Sequence, residues 1–372
     1  MKNSYKEVKG FFTELEYGSL QENELYYKIE NYDNMEDFFM TITSSSDIWN
    51  FCWSQGGLTA GRVDSNHAIF PYYTADKVSD DKSYTGPYTA ILVHTNPHGF
   101  APILWEPFAS MSSSPAIRQK IETNIRRNIY KNTTGTEVWF EEINYELGLI
   151  FRYAWTSSAK FDLVRKVQLI NLSYETVKVE VLDGCRNILP ACATSDFQNS
   201  NSVLLDAYKK TDLDKASKLT LFALSSIVTD KAEPSEGLFA NTCWFSCKED
   251  LIITPDAPEQ FVYSRAVEPM DLVKGKRPGA YVLRSLELKD PYNPACWYQV
   301  FDTRLDHSKI TELKKLLANR TRITQLLEDD IKQGTKLMKE YIAQADGEQK
   351  TAQTMTCVHH SQNVMFNIMR GG

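Results

Sequence analysis

Between Thr136 and Leu182 four strand-length segments follow one another with only short polar turns between them, and few folds can take such a run. Thr136–Asn144 (TEVWFEEIN) leads to a turn near Glu146–Gly148, then to Leu149–Trp155 (LIFRYAW) and a polar turn at Thr156–Lys160. In Phe161–Ile170, Leu163, Val167 and Leu169 fall on one face of an extended chain, with Lys166 and Gln168 on the other. Val177, Val179 and Val181 then alternate with Lys178 and Glu180. Consecutive strands joined by tight turns predict an antiparallel meander.

Similar segments flank it: Ala90–His94, Leu219–Ile227, Asn241–Cys247 and Ala280–Leu288. Aromatic residues make up 12% of the chain, and rings favour pleated, half-buried surfaces. So many strands over this length predict a mainly β fold, a large antiparallel double-sheet assembly. Two short helices are expected to interrupt it, one within Pro115–Tyr130 and one around Ser202–Lys210. Near residue 308 the pattern changes. Ile310, Leu313, Leu317, Ile323, Leu327, Ile331, Met338 and Tyr341 recur at helical spacing behind a Ser308 N-cap, with a break near Asn319 or Gly334. Such a stripe packs back on the sandwich or docks on a further domain. A last helix, His359–Arg370, follows a polar stretch and is cut off at Gly371-Gly372, which suggests a division within a larger protein.

With 41 basic and 48 acidic residues the net charge is -7, which offers no electrostatic reason for nucleic acid or an anionic membrane as partner. The first residues lack the apolar core of a signal peptide, and no apolar run approaches bilayer length. Seven scattered cysteines in a chain long enough to build its own core read as reduced, mostly buried thiols. A cytoplasmic location is the expectation.

Recognisable catalytic patterns do not emerge. His94 and His98 flank Pro97, which forbids a helical pair, and Cys243, Phe245 and Cys247 share a strand face as core residues. No metal site is expected. Glu141 and Glu142 would point to opposite faces of a strand and so cannot act together, while Asp80-Asp81 reads as a solvated loop. Gly56–Arg62 (GGLTAGR) lacks a phosphate-loop lysine and marks a tight turn, with Arg62 as an anion or hydroxyl contact. Trp49, Phe51 and Trp53 alternate and should share a strand face, with core packing favoured for each ring. Phe70–Lys77 (FPYYTADK) sets Tyr72 and Tyr73 beside Asp76 and Lys77 in a loop suited to a sugar, whose apolar C–H faces carry hydroxyl rims.

Ile48–Asn50, Gly56–Arg62, Phe70–Lys77, Thr85-Gly86-Pro87, Glu137–Trp155, Val181–Pro190 and Asn363–Gly372 together resemble the opening of large cellobiose phosphorylase-like proteins. The resemblance spans most of the chain but includes no catalytic signature. It implies a galactose-mutarotase-like β-supersandwich over 1–305, a helical linker over 306–350 and the start of an (α/α)6 barrel over 351–372. It further implies inverting phosphorolysis or hydrolysis of a glycoside by the parent protein, with inorganic phosphate as co-substrate and no other cofactor. The acid and phosphate site would lie in the barrel, so no catalytic residue is assigned within this chain. Arg62, Tyr72, Tyr73, Asp76 and Lys77 stand as substrate-binding candidates. The expected partners are an oligosaccharide or disaccharide, the barrel and a second subunit. A free-standing carbohydrate-binding or mutarotase-like module, and a non-enzymatic interaction domain, are the alternatives.

Overall fold

The computed structural model describes residues 7–16, 20, 24–72, 83–94, 101–109, 124–200, 202–226, 239–346 and 351–369. Among these, three antiparallel sheets form the body. The largest runs β1 (Lys9–Glu14), β2 (Leu25–Glu30), β9 (Ile125–Asn132), β10 (Val138–Asn144), β11 (Leu149–Ser158), β12 (Asp162–Asn171), β20 (Ala295–Asp306), β16 (Phe239–Phe245), β15 (Leu219–Leu224), β14 (Lys209–Asp214) and β18 (Leu272–Lys274). A second sheet orders β17 (Leu251–Ile252), β19 (Gly279–Leu288), β13 (Val177–Arg186), β7 (Gly86–His94) and β8 (Ile103–Trp105). The third is β3 (Phe39–Ile42), β4 (Ile48–Trp53), β5 (Leu58–Arg62) and β6 (Ala68–Phe70). One core joins all three, with Phe151, Trp155 and Phe301 of the large sheet against Val181 and Val282 of the second and Leu58 and Phe70 of the third. The mainly β, antiparallel sandwich read from the sequence is the fold observed.

The meander holds for three strands and not for the fourth. β10, β11 and β12 are neighbours in register, from Val138↔Trp155 to Leu149↔Asn171. β13 instead crosses to the second sheet, between β19 and β7. The free edge of β12 is taken by β20, with Leu163 opposite Phe301. Asn171 holds the corner, its amide donating to the carbonyls of Glu175 (2.6 Å) and Leu288 (3.0 Å). Local alternation encodes a strand; it does not say which sheet receives it.

A second correction concerns Pro115–Tyr130. Its described end, from Ile125, is strand β9, and residues 110–123 lie outside the described set. Arg127 makes this strand look polar, yet it is fully buried on the inner face and ion-paired to Glu142. Helix α2 (Ser202–Tyr208) fills the second expected helical position, and α1 (Ser195–Ser200) precedes it. Helix α3 (Ala257–Ser264) lays Phe261 on the outer face of the second sheet, against Leu92 and Leu182.

The helical stripe covers the outer face of the large sheet. Helix α4 (His307–Leu317) is capped by Asp306, not Ser308, because β20 runs directly into it and the Asp306 carboxylate accepts from the Lys309 amide (2.9 Å). Asn319 marks the real break, its side chain accepting from the Arg322 amide at the start of α5 (Arg320–Asp346). Gly334 breaks nothing; α5 is continuous there, and a Cβ at 334 would sit 3.2 Å from the Ser45 hydroxyl, so the glycine permits close approach. Leu313, Leu317, Ile323, Leu327 and Ile331 pack on Val164, Trp244 and Val300. Of the two readings open for the stripe, packing on the sandwich is the one realised. Tyr341 is partly exposed, and Ile342 takes its place against Met338 and, from α6 (Thr354–Met369), Val364 and Met365. The last helix therefore has a partner within the chain. No described helix is long and apolar enough to cross a membrane.

Candidate functional site

Strand β4 alternates strictly: Ile48, Asn50 and Cys52 are buried, while Trp49, Phe51 and Trp53 are half-buried on the opposite face. Core packing is the sequence expectation for these rings: Trp49 meets it in part, packing against Ala68, Leu189 and Leu205, while Phe51 and Trp53 stay half-buried. They share a face, but that face is the outer side of the four-stranded sheet. Phe39 of β3 joins them, its ring near-parallel to Phe51 (centroids 5.5 Å apart, 23°), and Phe51 is near-parallel to Trp49 (5.9 Å, 28°). Trp53 and Tyr72 close the two ends edge-on, at 5.8 and 5.7 Å. The result is a strip of five rings, with Phe39 45% and Tyr72 48% exposed.

Gly61 makes this geometry possible. A Cβ at 61 would lie 2.5 Å from Cζ2 of Trp49 and 2.5 Å from the His67 carbonyl oxygen, so only a glycine lets the indole lie against the β5–β6 backbone. The indole N–H of Trp49 donates to the Asp64 carbonyl (3.2 Å), which fixes the ring plane. Asp37 and Gln55 hydrogen-bond each other near the Trp53 end.

Arg62 follows Gly61 and so points to the other side of β5. There it pairs with Asp47 (2.7 Å) and with Asp162, and Asp162 also accepts from the Thr303 amide (2.7 Å). The two carboxylates hold the guanidinium pKa above its usual range against burial, which lowers it. The structure therefore separates Arg62 from Tyr72, which the sequence reading grouped, and gives Arg62 two anions of its own. Tyr73, Asp76 and Lys77 lie outside the described residues, as do His98 and the Asp80-Asp81 pair.

Beside Arg62 a cleft of about 520 Å³ opens between the sheet and α4, with Asp162 and Asp302 in its floor and Lys160, Lys309 and Glu312 on its walls. Burial, reinforced by the neighbouring Asp162, pushes the Asp302 carboxyl up to about 8. Asp162 is also raised by burial, but Arg62 and the Thr303 amide oppose the shift, so Asp302 is the member that holds the proton. An unfolded aspartate loses its proton near pH 3.9, whereas folded Asp302 keeps it to about 8. Across that window the folded chain binds more protons, so stability falls as pH rises. Asp302→Asn is expected to flatten this dependence, removing a slope of at most about 1.4 kcal/mol per pH unit. Urea midpoints of the two proteins at pH 5 and pH 8 check it, and parallel curves would refute it.

On the far side of Thr303 the imidazole of His67 is held at both nitrogens, donating from Nδ1 to Asp64 (2.8 Å) and accepting at Nε2 from Arg304 (2.5 Å). Glu141 and Glu142 do face opposite ways, as their spacing in a strand requires. Glu141 accepts from Asn128, Tyr130 and Arg152 on the outer face, and Glu142 from Trp105, Phe108 and Arg127 on the inner. Cys243 and Phe245 are core residues, with Cys247 packed against them. All seven cysteines are free; Cys52, Cys185 and Cys243 are buried, and Cys192 and Cys296 are exposed.

No family model matches this chain, and no curated protein matches it. Among solved structures, a bacterial glucoamylase complexed with acarbose aligns at TM-score 0.46 and 9% identity, over 80% of this chain and 36% of that one. A human-microbiome protein assigned as a kojibiose phosphorylase aligns at TM-score 0.35 and 8% identity, over 92% and 37%. An Escherichia coli K12 protein assigned as an aldose 1-epimerase aligns at TM-score 0.33 and 7% identity, over 72% and 99%. The chain thus spans little more than a third of the first two.

Proposed function

We propose that this chain is a carbohydrate-facing sandwich domain that binds an oligosaccharide along the aromatic strip of its four-stranded sheet. The observation that carries the reading is the set of three near-parallel rings, Phe39, Phe51 and Trp49, bracketed by Trp53 and Tyr72 on an outer face. Pyranose rings present apolar C–H faces, and a row of aromatic faces receives them while the hydroxyl rims stay in water. Because the rings stand on paired strands, little side-chain freedom is lost on binding. Polar groups at the margins, such as Asp37 and Gln55, suit the hydroxyls.

The finer reading follows the sequence resemblance. The chain would be the N-terminal part of an inverting glycoside phosphorylase or hydrolase, with subunit contacts on the sandwich. The catalytic barrel and its phosphate would lie outside it, and the chain would be inactive alone.

The test is affinity electrophoresis and calorimetry with linear glucans. An aromatic contact contributes about 0.5–1.5 kcal/mol beyond area burial. Trp49→Ala combined with Phe51→Ala should therefore weaken binding by roughly 5- to 150-fold. Tyr263→Ala, at a ring 85% exposed on α3, should leave it unchanged. Equal retention of the wild type and the double variant would remove the strip from the function.

A further inference from the structure

Where α4 gives way to α5, a cavity of about 380 Å³ opens between the helices and the large sheet. The β14–β15 turn brings Ser217 and Lys218 to it, the segment after β16 brings Lys248, and the helical break brings Asn319, Arg320 and Thr321. Every charged residue in its lining is a cation: Lys218, Lys248 and Arg320.

Arg320 is the central one. Its guanidinium donates only to main-chain carbonyls, those of Phe245 (2.9 Å), Ser217 (2.6 Å) and Lys218 (3.3 Å). These bonds lock the group in place yet cancel none of its charge. Of the five N–H groups of a guanidinium, Nε–H and one Nη1–H stay unused. Partial burial pulls its pKa below the usual range, and the Cys247 thiol rather than a carboxylate opposes the shift. A charge drawn into a protein is normally compensated by an anion. Lys248 is exposed, and its ammonium has no partner among the described residues. The Lys218 ammonium bonds the Lys248 carbonyl and pairs with Asp250 (2.9 Å), whose side chain is 92% exposed, so water screens that pair. The amides of Arg320 and Thr321 add donors that no described residue uses, because Asn319 serves those of Arg322 and Ile323.

We infer that this cavity binds the phosphate group of a small molecule, with Arg320, Lys218 and Lys248 around its oxygens. The charge balance selects the class. Three cations suit a phosphate group, which carries about 1.5–2 negative charges at neutral pH, better than a singly charged carboxylate. A fixed guanidinium fork joined by ammonium groups matches phosphate oxygens. The volume falls within the roughly 300–1,000 Å³ of small-molecule sites. A polyanion is disfavoured, because Asp214 and Asp250 stand beside the cavity, bonded to Ser217 and Lys218, in a chain of net charge -7. The aromatic strip lies on another sheet and takes no part.

Calorimetry on the full 372-residue chain with inorganic phosphate and with D-glucose 6-phosphate tests the site. At least one should bind saturably, and more weakly as salt is added. Tighter binding of inorganic phosphate identifies the free ion as the ligand, and tighter binding of the ester identifies a phosphorylated sugar. Lys248→Gln removes an ammonium that holds no other group, so it should melt as the wild type does while binding weakens by about 10-fold. Arg320→Gln should abolish binding; should it fail to fold, Lys248→Gln decides. Lys178→Gln, on the second sheet, and Trp49→Ala should both leave binding unchanged, so failure of the strip and failure of this site are told apart. No saturable binding of either phosphate overturns the site. So does binding that Lys248→Gln leaves intact, or an equal loss in Lys178→Gln.

Discussion

Asp183→Ala is expected to lower the unfolding free energy by about 3–5 kcal/mol. Asp183 is fully buried on β13 and accepts four hydrogen bonds: from the Thr89 hydroxyl (2.6 Å), twice from Arg165 (3.0 and 2.8 Å) and from the Trp297 indole (2.8 Å). Arg165 and Trp297 belong to the large sheet, Thr89 and Asp183 to the second, so one carboxylate ties the two layers of the sandwich together. Removing it leaves the Arg165 guanidinium buried beside the Tyr153 ring without its counter-ion. Asp183→Asn keeps the shape and an acceptor but not the charge, and should fall between alanine and wild type. Urea unfolding followed by tryptophan fluorescence measures both. A midpoint for Asp183→Ala within error of the wild type would show that the layers are held by apolar packing alone.

Glu142→Ala should cost a similar amount, about 3–5 kcal/mol, for a related reason with a different reach. Its carboxylate holds Arg127 (2.8 Å), the Trp105 indole (2.8 Å) and the Phe108 amide (2.8 Å). The lost counter-ion leaves the Arg127 charge in a buried site where Asp33 is 3.7 Å away. Phe108 simultaneously loses the bond that offsets its left-handed backbone. Both a lower urea midpoint and faster amide exchange at Phe108 are expected. Loss of stability with Phe108 still protected would contradict the link between Glu142 and the Phe108 backbone.

These two carboxylates show where sequence reading stops. Glu142 was legible as a strand residue facing away from Glu141, because alternation follows from strand geometry. Its burial was not, since nothing local distinguishes a carboxylate at the surface from one that meets an arginine across the sheet. Arg127 shows the converse, as its charge disguised a strand as part of a helix. Among the binding candidates, Tyr72 belongs to the aromatic strip and Arg62 is engaged by Asp47 and Asp162 in a different cleft. Their closeness in sequence did not carry over to one surface, because Gly61 and Arg62 look out of opposite sides of β5. The alternation of Trp49, Phe51 and Trp53 with Ile48, Asn50 and Cys52 was the available signal for the strip. It identified two faces without saying which one is covered.

What the sequence determined by itself is everything that depends on period and punctuation. That includes an antiparallel β body, the β10–β12 meander, the helical stripe from Leu313 to Ile331 and the presence of aromatic rings on one side of β4. Each is a local property, repeated every two residues or about every 3.6, and independent of what lies across the core. Only the tertiary structure decided that β13 leaves its meander, that the helices cover the large sheet, that the β4 rings face outward and that Lys218, Lys248 and Arg320 share a cavity. Those outcomes depend on contacts between residues far apart in the chain, where competition for a free strand edge and the pairing of buried charges settle the arrangement.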